Sequence, residues 1–208
     1  MTGPMPAAPP PRDVLLVAGE ASGDMHGADL VAALRRRLPA VRVRGIGGAR
    51  LRAAGMDTIV DARTLATMGL VEARERLGTI WRAYRRVRRI VREEKPDLVI
   101  LIDFAEFNMA LAGVAHRAGV PVLYYISPQV WAWRRGRVRK IARRVSRLAV
   151  VFPFEVPLYA WSGVRADFVG HPLLDLVRVG RDRPAFLGAP ALDPGKRLVA
   201  LLPGSRAK

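Results

Sequence analysis

Short runs of aliphatic and β-branched residues recur along the chain, each followed by a segment in which apolar residues have helical spacing. The runs are almost entirely apolar, so each predicted strand should be covered on both faces. Strands that alternate with helices in this way predict an α/β fold, a doubly wound parallel sheet. The predicted strands are Asp13–Ala18, Val41–Ile46, Thr58–Val60, Asp97–Ile102, Val120–Ile126 and Leu148–Val151. The predicted helices are Met25–Leu38, Glu72–Glu94, Met109–Ala118 and Arg134–Ser146.

The pattern divides the chain into four parts. Residues 1–12 are rich in Pro and Ala and predict a disordered tail without a secretory signal, and 13–180 form the predicted α/β domain. Residues 181–197 are rich in Pro, Gly and Asp and predict a linker with a short helix near Ala185–Leu187. A further strand, Leu198–Leu202, then runs into Pro203-Gly204-Ser205-Arg206, so 198–208 are expected to begin a second α/β domain that is cut short.

Charge and composition limit the possible functions. The chain has 35 Lys and Arg residues against 18 Asp and Glu, a net charge of +17, which predicts attraction to anionic partners: phosphorylated substrates, acidic lipid or nucleic acid. A solvated basic surface is the alternative. Cysteine is absent, and the three histidines are scattered, so neither a disulfide nor a protein zinc site is expected. Apolar runs are too short to span a membrane, which favours a cytoplasmic or peripheral protein.

Two loops follow predicted strands and are rich in glycine. Gly19-Glu20-Ala21-Ser22-Gly23-Asp24 joins the first strand to a helix, where backbone amides can approach a ligand. It does not match a P-loop, and its two carboxylates suit sugar hydroxyls better than phosphate; capping of the helix by Ser22 or Asp24 is the alternative. Gly45-Ile46-Gly47-Gly48 indicates a tight turn beside a cleft.

Asp103 stands directly after the strand that ends at Ile102. In open parallel sheets, ligands bind outside the carboxyl ends of the strands, which is where a general base belongs. The alternative is that Asp103 or Asn108 only caps the next helix.

Aromatic residues indicate two further surfaces. Ser127-Pro128-Gln129-Val130-Trp131-Ala132-Trp133 suits a sugar or an acyl chain, although tryptophan is also ordinary core material, and an arginine-rich helix follows it. Met68-Gly69-Leu70-Val71 precedes a helix that combines Trp81 with many arginines, which predicts a membrane-surface patch; packing of the same stripe on the sheet is the alternative.

Taken together, these motifs closely resemble the lipid-A-disaccharide synthase family, in order and over nearly everything after the first dozen residues. The matching motifs are the Gly19–Asp24 loop, Gly45–Gly48, Met68-Gly69-Leu70-Val71-Glu72, residues 103–108, residues 127–133, Gly170-His171-Pro172 and Leu201-Leu202-Pro203-Gly204-Ser205-Arg206. The resemblance implies an inverting hexosyltransferase of the GT-B type, whose N-terminal Rossmann-like domain binds the acceptor. Such an enzyme joins UDP-2,3-diacylglucosamine to 2,3-diacylglucosamine 1-phosphate (lipid X) in lipid A biosynthesis, without a metal or other cofactor.

The resemblance also implies roles for individual residues. Asp103 corresponds to the catalytic aspartate, which takes the proton from the acceptor 6-hydroxyl, and Arg206 to an arginine that holds the donor diphosphate. The expected substrate-binding residues are Gly19, Glu20, Ser22, Gly23, Asp24, Asn108, Ser127, Gln129, Trp131, His171 and Arg206. The expected membrane patch consists of Met68, Leu70, Val71 and Trp81.

The implied setting is the cytoplasmic face of the inner membrane, with the protein attached peripherally to its anionic surface. Family members continue past the Pro-Gly-Ser-Arg loop into a donor-binding domain. We therefore expect a partial enzyme that keeps the acceptor half and the base, with a homodimer or a complementing C-terminal chain as its protein partner; nucleic acid is not an expected partner.

Two other functions remain open. One is a non-catalytic basic module that binds anionic lipid or nucleic acid, for which steep loss of binding with added salt would be diagnostic. The other is a different GT-B enzyme, such as a UDP-GlcNAc epimerase or a lipid-linked GlcNAc transferase, against which the Ser127–Trp133 segment argues.

Overall fold

The computed structural model describes residues 9–66, 73–128, 136–180, 182–188 and 196–201. The chain divides into two compact units, Met1–Pro172 and Leu173–Lys208. The predicted domain limits at 12, 180 and 197 stay predictions.

The first unit is built on one seven-stranded sheet in which every neighbouring pair of strands is parallel, which confirms the predicted doubly wound α/β architecture. The strands are β1 Asp13–Ala18, β2 Arg42–Gly47, β3 Asp57–Asp61, β4 Leu98–Ile102, β5 Val122–Tyr125, β6 Arg147–Val150 and β7 Arg165–Phe168. Their order is β3-β2-β1-β4-β5-β6-β7. β2 and β3 are added on one side of β1, whereas β4 to β7 are added on the other side, so the strand order reverses between β1 and β4. Such a switch point is where α/β sheets open a crevice for ligands.

Helices connect these strands. In the first unit they are α1 Ala21–Arg37, α2 Ala49–Ala53, α3 Arg63–Ala66, α4 Ala73–Arg89 with a π-helical extension Ile90–Glu94, α5 Ala105–Arg117, α6 Arg137–Ala142 and α7 Glu155–Ala160. The second unit contains α8 Leu173–Leu176 and α9 Arg183–Leu187. None of the helices in the described ranges has both the length and the apolar character needed to cross a membrane.

The core lies on both faces of the sheet, which explains why the central strands are apolar throughout. In β1, Leu15 and Val17 belong to a cluster that includes Leu111 of α5, whereas Leu16 belongs to a cluster that includes Val31 of α1. Successive side chains of a strand point to opposite faces, so a strand covered on both sides has no polar alternation.

A buried arginine stabilises the amino-terminal ends of the central strands, on the side of the sheet opposite the switch point. Arg44 in β2 is almost fully buried and pairs with Asp13 at 2.6 Å and with Glu94 at the end of the π-helical segment. The carboxylate of Asp97 accepts hydrogen bonds from the backbone N–H groups of Arg12 and Asp13 at 2.8 and 2.9 Å. These contacts fix the start of β1 against β2 and β4.

Several element limits differ from the sequence predictions. α1 begins at Ala21 rather than Met25, and α5 at Ala105 rather than Met109, so both helices reach the sheet edge. β7 was not predicted, because this edge strand is only four residues long and its Asp167 is paired with Arg147 of β6, a contact that the sequence does not show. Residues 198–201 form no strand, because a strand exists only when a neighbour satisfies its backbone groups and these described residues have no such pairing.

Candidate active site

The switch point brings together two motifs that are far apart in sequence. The loop after β1 leads into α1, and the loop after β4 leads into α5. Between them, the hydroxyl of Ser22 donates a hydrogen bond to Oδ2 of Asp103 at 2.8 Å. The predicted base and the predicted glycine loop therefore share one crevice.

The backbone at Asp103 is held in an uncommon conformation. Asp103 and Phe104 have φ values of +48° and +45°, in the left-handed region that non-glycine residues seldom occupy. The side-chain amide of Asn108 donates to the carbonyl oxygens of Ile102 and Asp103 at 3.0 and 2.7 Å, and the hydroxyl of Tyr124 donates to the carbonyl of Asp103 at 2.8 Å. Such strain persists where surrounding contacts enforce it, and it is common at functional sites.

Asn108 is fully buried beneath this turn. Its contacts give it a positioning role, since it fixes the peptide groups on both sides of Asp103. The predicted contact between Asn108 and substrate stays a prediction.

Gly19 permits the close approach of the two loops. A Cβ atom at Gly19 would lie 2.3 Å from Cδ1 of Phe104. The ring of Phe104 stacks on that of Phe107, with centroids 4.8 Å apart. Gly23 is also confined, since a Cβ there would meet Ala18 at 3.2 Å.

Asp24 connects α1 to α2. Its carboxylate accepts hydrogen bonds from the backbone N–H groups of Gly48, Arg50 and Leu51 at 2.6, 3.1 and 3.1 Å. Asp24 thus caps a helix. The alternative prediction was that it caps α1, the helix that contains it, whereas the helix it caps is α2. Glu20 is the residue that precedes α1, and the substrate contacts predicted for Glu20 and Asp24 stay predictions.

Two histidines complete the crevice, and one of them was not predicted as a site residue. The rings of His26 and His171 meet edge to face with centroids 6.2 Å apart, and His171 also contacts Phe152. Burial lowers the pKa of His26, with the nearby carboxylate of Asp103 opposing this shift and His171 adding to it. His26 lies four residues after Ser22 in α1, so helical periodicity could have identified it.

Ser127, at the carboxyl end of β5, belongs to a buried polar network. Its hydroxyl donates to Oε1 of Glu155 at 3.2 Å and accepts from the hydroxyl of Tyr159 at 3.3 Å. The other oxygen of Glu155 accepts from the backbone N–H of Phe152 at 3.1 Å. Burial raises the pKa of Glu155, partly offset by these hydrogen bonds. Glu155 was not predicted as a site residue, because a glutamate before an apolar helical segment is typical of an exposed helix start.

Several predicted residues lie outside the described ranges: Gln129, Trp131, Arg206, Met68, Leu70 and Val71. Trp81 is described, on α4, where it is 57% exposed and lies under the guanidinium of Arg85, 4.6 Å from its ring centroid. Within the ranges that the structure describes, no three His, Asp or Glu residues are grouped so as to hold a metal ion.

This arrangement is suited to proton transfer from a hydroxyl group. Asp103 is partly exposed in the crevice, its backbone is fixed by Asn108 and Tyr124, and one carboxylate oxygen is oriented by Ser22. A positioned carboxylate of this kind can accept the proton of an alcohol as the alcohol attacks.

Comparison with known proteins gives a consistent match along the chain. A family model described as lipid-A-disaccharide synthetase matches residues 14–208. A lipid-A-disaccharide synthase of Geobacter metallireducens is 55% identical over 197 residues, covering 95% of this chain and 51% of the relative. A lipid-A-disaccharide synthase of Nitrosococcus oceani is 47% identical over 193 residues, covering 93% of this chain and 50% of the relative. The chain thus spans about half the length of the curated relatives it matches.

Solved structures give weaker matches. A structure of Anabaena Alr3699/HepE in complex with UDP and glucose aligns with a TM-score of 0.47 and 12% identity, covering 77% of this chain and 44% of that one. The calicheamicin glycosyltransferase CalG4 aligns with a TM-score of 0.47 and 15% identity, covering 77% and 52%.

Proposed function

The chain belongs to the lipid-A-disaccharide synthase family, and from this we propose that it supplies the acceptor site and the catalytic base of a lipid A glycosyltransferase. The proposed reaction joins UDP-2,3-diacylglucosamine to 2,3-diacylglucosamine 1-phosphate (lipid X), giving the β-1,6-linked disaccharide 1-phosphate and UDP. The observation that supports this best is the hydrogen bond between Ser22 and Asp103 at the switch point of the sheet.

In the proposed step, the acceptor 6-hydroxyl attacks the anomeric carbon of the donor. A new carbon–oxygen bond forms there while the bond to the UDP oxygen breaks, and the configuration inverts. The hydroxyl proton passes to the carboxylate of Asp103. Ser22 occupies Oδ2 of this carboxylate, which leaves Oδ1 as the atom we assign to proton transfer.

The remaining residues are given supporting roles. The loop from Gly19 to Gly23 and the segment that starts at Ser127 would bind the acceptor, with Gln129 and Trp131 contributing a hydrogen bond and an aromatic face. Arg206 would hold the donor diphosphate. We further propose that donor binding requires the part of the family architecture that the relatives have and this chain does not span.

A membrane surface is the proposed location of the reaction, since both substrates are acylated. Leu77 and Trp81 are exposed apolar residues on α4, and the same helix carries Arg82, Arg85, Arg86, Arg88 and Arg89. An apolar anchor with flanking arginines favours an anionic lipid surface. We propose that this face and the predicted patch of Met68, Leu70 and Val71 attach the protein peripherally at the inner membrane, alone, as a homodimer or with a complementing chain.

The test combines binding and turnover. The chain in detergent is titrated with lipid X, and UDP release and disaccharide formation are followed with both substrates, with and without the C-terminal half of a relative. We expect lipid X to bind to the chain alone and turnover to appear when the donor-binding half is supplied. Salt-sensitive binding to anionic vesicles without binding of lipid X would instead favour a non-catalytic basic module.

Asp103→Asn is the matched variant for the base. It removes the proton acceptor but little volume, and asparagine tolerates the left-handed backbone at this position. We expect lipid X affinity within about threefold of the parent and turnover reduced at least ~100-fold. Asp57→Asn, at an exposed carboxylate on β3, is the control and should leave both unchanged. Turnover retained by Asp103→Asn would show that another group accepts the proton.

A further inference from the structure

We propose that Glu155 is a positioning residue for acceptor binding, which acts by holding the hydroxyl of Ser127 and the end of β5 in one orientation. This inference rests on the proposed function, in which the segment that starts at Ser127 binds the acceptor. It concerns a buried side chain to which the proposed reaction itself gives no role.

The turn after β5 has a backbone conformation that its sequence does not favour. Ile126 has a φ of +58°, in the left-handed region, and for a β-branched residue such a conformation is a genuine outlier. Its backbone N–H donates to the carbonyl oxygen of Ala149 in β6 at 3.0 Å. A strained residue persists only where the surrounding contacts enforce its conformation. We therefore expect the contacts of Ser127, the next residue, to hold this turn.

Two side chains of α7 hold Ser127. Its hydroxyl donates to Oε1 of Glu155 at 3.2 Å and accepts from the hydroxyl of Tyr159 at 3.3 Å. Glu155 and Tyr159 are four residues apart, so they lie on the same face of the helix. All three residues are buried. A buried hydroxyl whose two partners come from one helix has a fixed orientation, so α7 determines how Ser127 is presented.

The carboxylate of Glu155 is itself fixed by the turn before α7. Its Oε2 accepts from the backbone N–H of Phe152 at 3.1 Å, and the backbone N–H of Glu155 donates to the carbonyl of Phe152 at 3.1 Å. A glutamate that reaches back three residues to a backbone N–H commonly satisfies a helix start, which is the alternative role. That role needs one oxygen and no burial. Glu155 is 2% exposed and uses its other oxygen on the residue that follows β5.

The contacts of Glu155 differ from those that hold the base. Asp103 is held by hydrogen bonds from α1, α5 and β5. Glu155 contacts Ser127 and the turn at residues 151–152. Loss of Glu155 should therefore weaken binding of the acceptor and leave proton transfer unchanged, which is an effect on KM rather than on kcat.

Amide exchange tests the positioning without substrate. Glu155→Met keeps the length of the side chain but removes both acceptors. We expect exchange at Ile126 and Phe152, followed by NMR, to become at least about tenfold faster relative to the amides of β1. Glu155→Gln can still accept from Phe152 and donate to Ser127, so it should keep the parent rates. Unchanged exchange in Glu155→Met, or an equal increase in β1, would overturn the proposal.

Titration with lipid X measures the consequence for the site. We expect Glu155→Met to weaken lipid X binding about tenfold and Glu155→Gln to stay within about threefold of the parent. Glu93→Ala removes an exposed glutamate that pairs with Arg89, and this control should bind lipid X as the parent does. If Glu155→Met binds as tightly as the parent, the proposal is wrong.

A double-mutant cycle shows whether Glu155 acts through Ser127. The variant that carries both Glu155→Met and Ser127→Ala should bind lipid X no more weakly than Ser127→Ala alone. Losses that multiply would mean that Glu155 affects binding independently of Ser127, which contradicts the proposal. Where turnover is obtained, Glu155→Met should raise KM for lipid X about tenfold with kcat within about threefold. A fall in kcat at unchanged KM would contradict it as well.

Ser127→Ala provides a test even where Glu155→Met does not fold, because it keeps the contact between Glu155 and Phe152. We expect faster exchange at Ile126 and weaker binding of lipid X, and unchanged values of both would overturn the proposal. If the parent chain does not bind lipid X, the proposed function fails and this inference fails with it. If the parent binds lipid X and the variants bind equally well, only this inference fails.

Discussion

At the residue scale, Gly19 is the position where the smallest change should have a large effect. The added methyl group of Gly19→Ala would lie 2.3 Å from the Phe104 ring, which stacks on Phe107. Either the ring or the loop must move, and overpacking of this kind costs about 1–3 kcal/mol in free energy of unfolding. Urea denaturation should detect the loss, and lipid X binding should weaken with it, because Phe104 adjoins the base.

Gly78→Ala is the control for this change. Gly78 lies within α4, and nothing would lie within 4 Å of an added Cβ. Alanine is favoured over glycine in a helix by about 1 kcal/mol, so this variant should be more stable than the parent. Equal stability of the two alanine variants would contradict the packing argument.

At this scale the sequence indicated the site residues better than their contacts. Ser22 and Asp103 were each predicted to lie near the carboxyl end of a strand, where ligands bind, but their contact depends on the pairing of β1 with β4, which the sequence pattern did not predict. The burial of Asn108 could not be predicted, since it depends on the left-handed turn at Asp103 and Phe104, where no glycine signals such a backbone. His26 was overlooked, although its spacing of four residues from Ser22 in α1 places both residues on one face of that helix.

At the scale of elements, Glu155 connects the end of β5 to the start of α7 through Ser127 and Tyr159. Because burial raises the pKa of Glu155 above its ordinary value of 4.5, the folded protein keeps this proton at pH values where the unfolded chain has lost it. The free energy of unfolding should therefore fall as pH rises from about 4.5 through the folded-state pKa.

Variants at this position separate the charge from the hydrogen bonds. Glu155→Gln keeps an acceptor for the N–H of Phe152 and should remove this part of the pH dependence. Glu155→Ala leaves Ser127 and the N–H of Phe152 without their acceptor and should cost about 1–3 kcal/mol. Urea denaturation at several pH values would measure both, and an unchanged pH slope in Glu155→Gln would contradict the assignment.

Elements that depend on local pattern alone were predicted well, and elements that depend on distant contacts were not. β1 was predicted to the residue, since its apolar run is bounded by Asp13 and Gly19. The short helix α2 escaped prediction because its first turn is satisfied by Asp24, which lies on another helix. β7 escaped because its charged residues pair across strands, as Arg147 does with Asp167.

At the scale of the whole molecule, the net charge of +17 attracts the protein to anionic membranes, and we expect stable binding only where an exposed apolar side chain also enters the lipid. Trp81→Ser should reduce affinity for anionic vesicles about tenfold, because burying a large aromatic side chain contributes roughly 1.5–3 kcal/mol. Trp161→Ser is the matched control, since Trp161 is 59% exposed, much as Trp81 is at 57%, but belongs to the end of α7 rather than to α4. Vesicle co-sedimentation would measure both, and equal losses would indicate nonspecific adsorption.

The position of β1 in the middle of the sheet also affects how the protein is made. β1 pairs with β4, and the Asp13–Asp97 contact that fixes this pairing spans 84 residues. At a synthesis rate of about 5–20 residues per second, the ribosome needs roughly 4–17 s to complete that span. Throughout this interval β1, which is apolar from Val14 to Ala18, has at least one edge unpaired. A chaperone that recognises extended apolar segments would find its binding site there before the crevice exists.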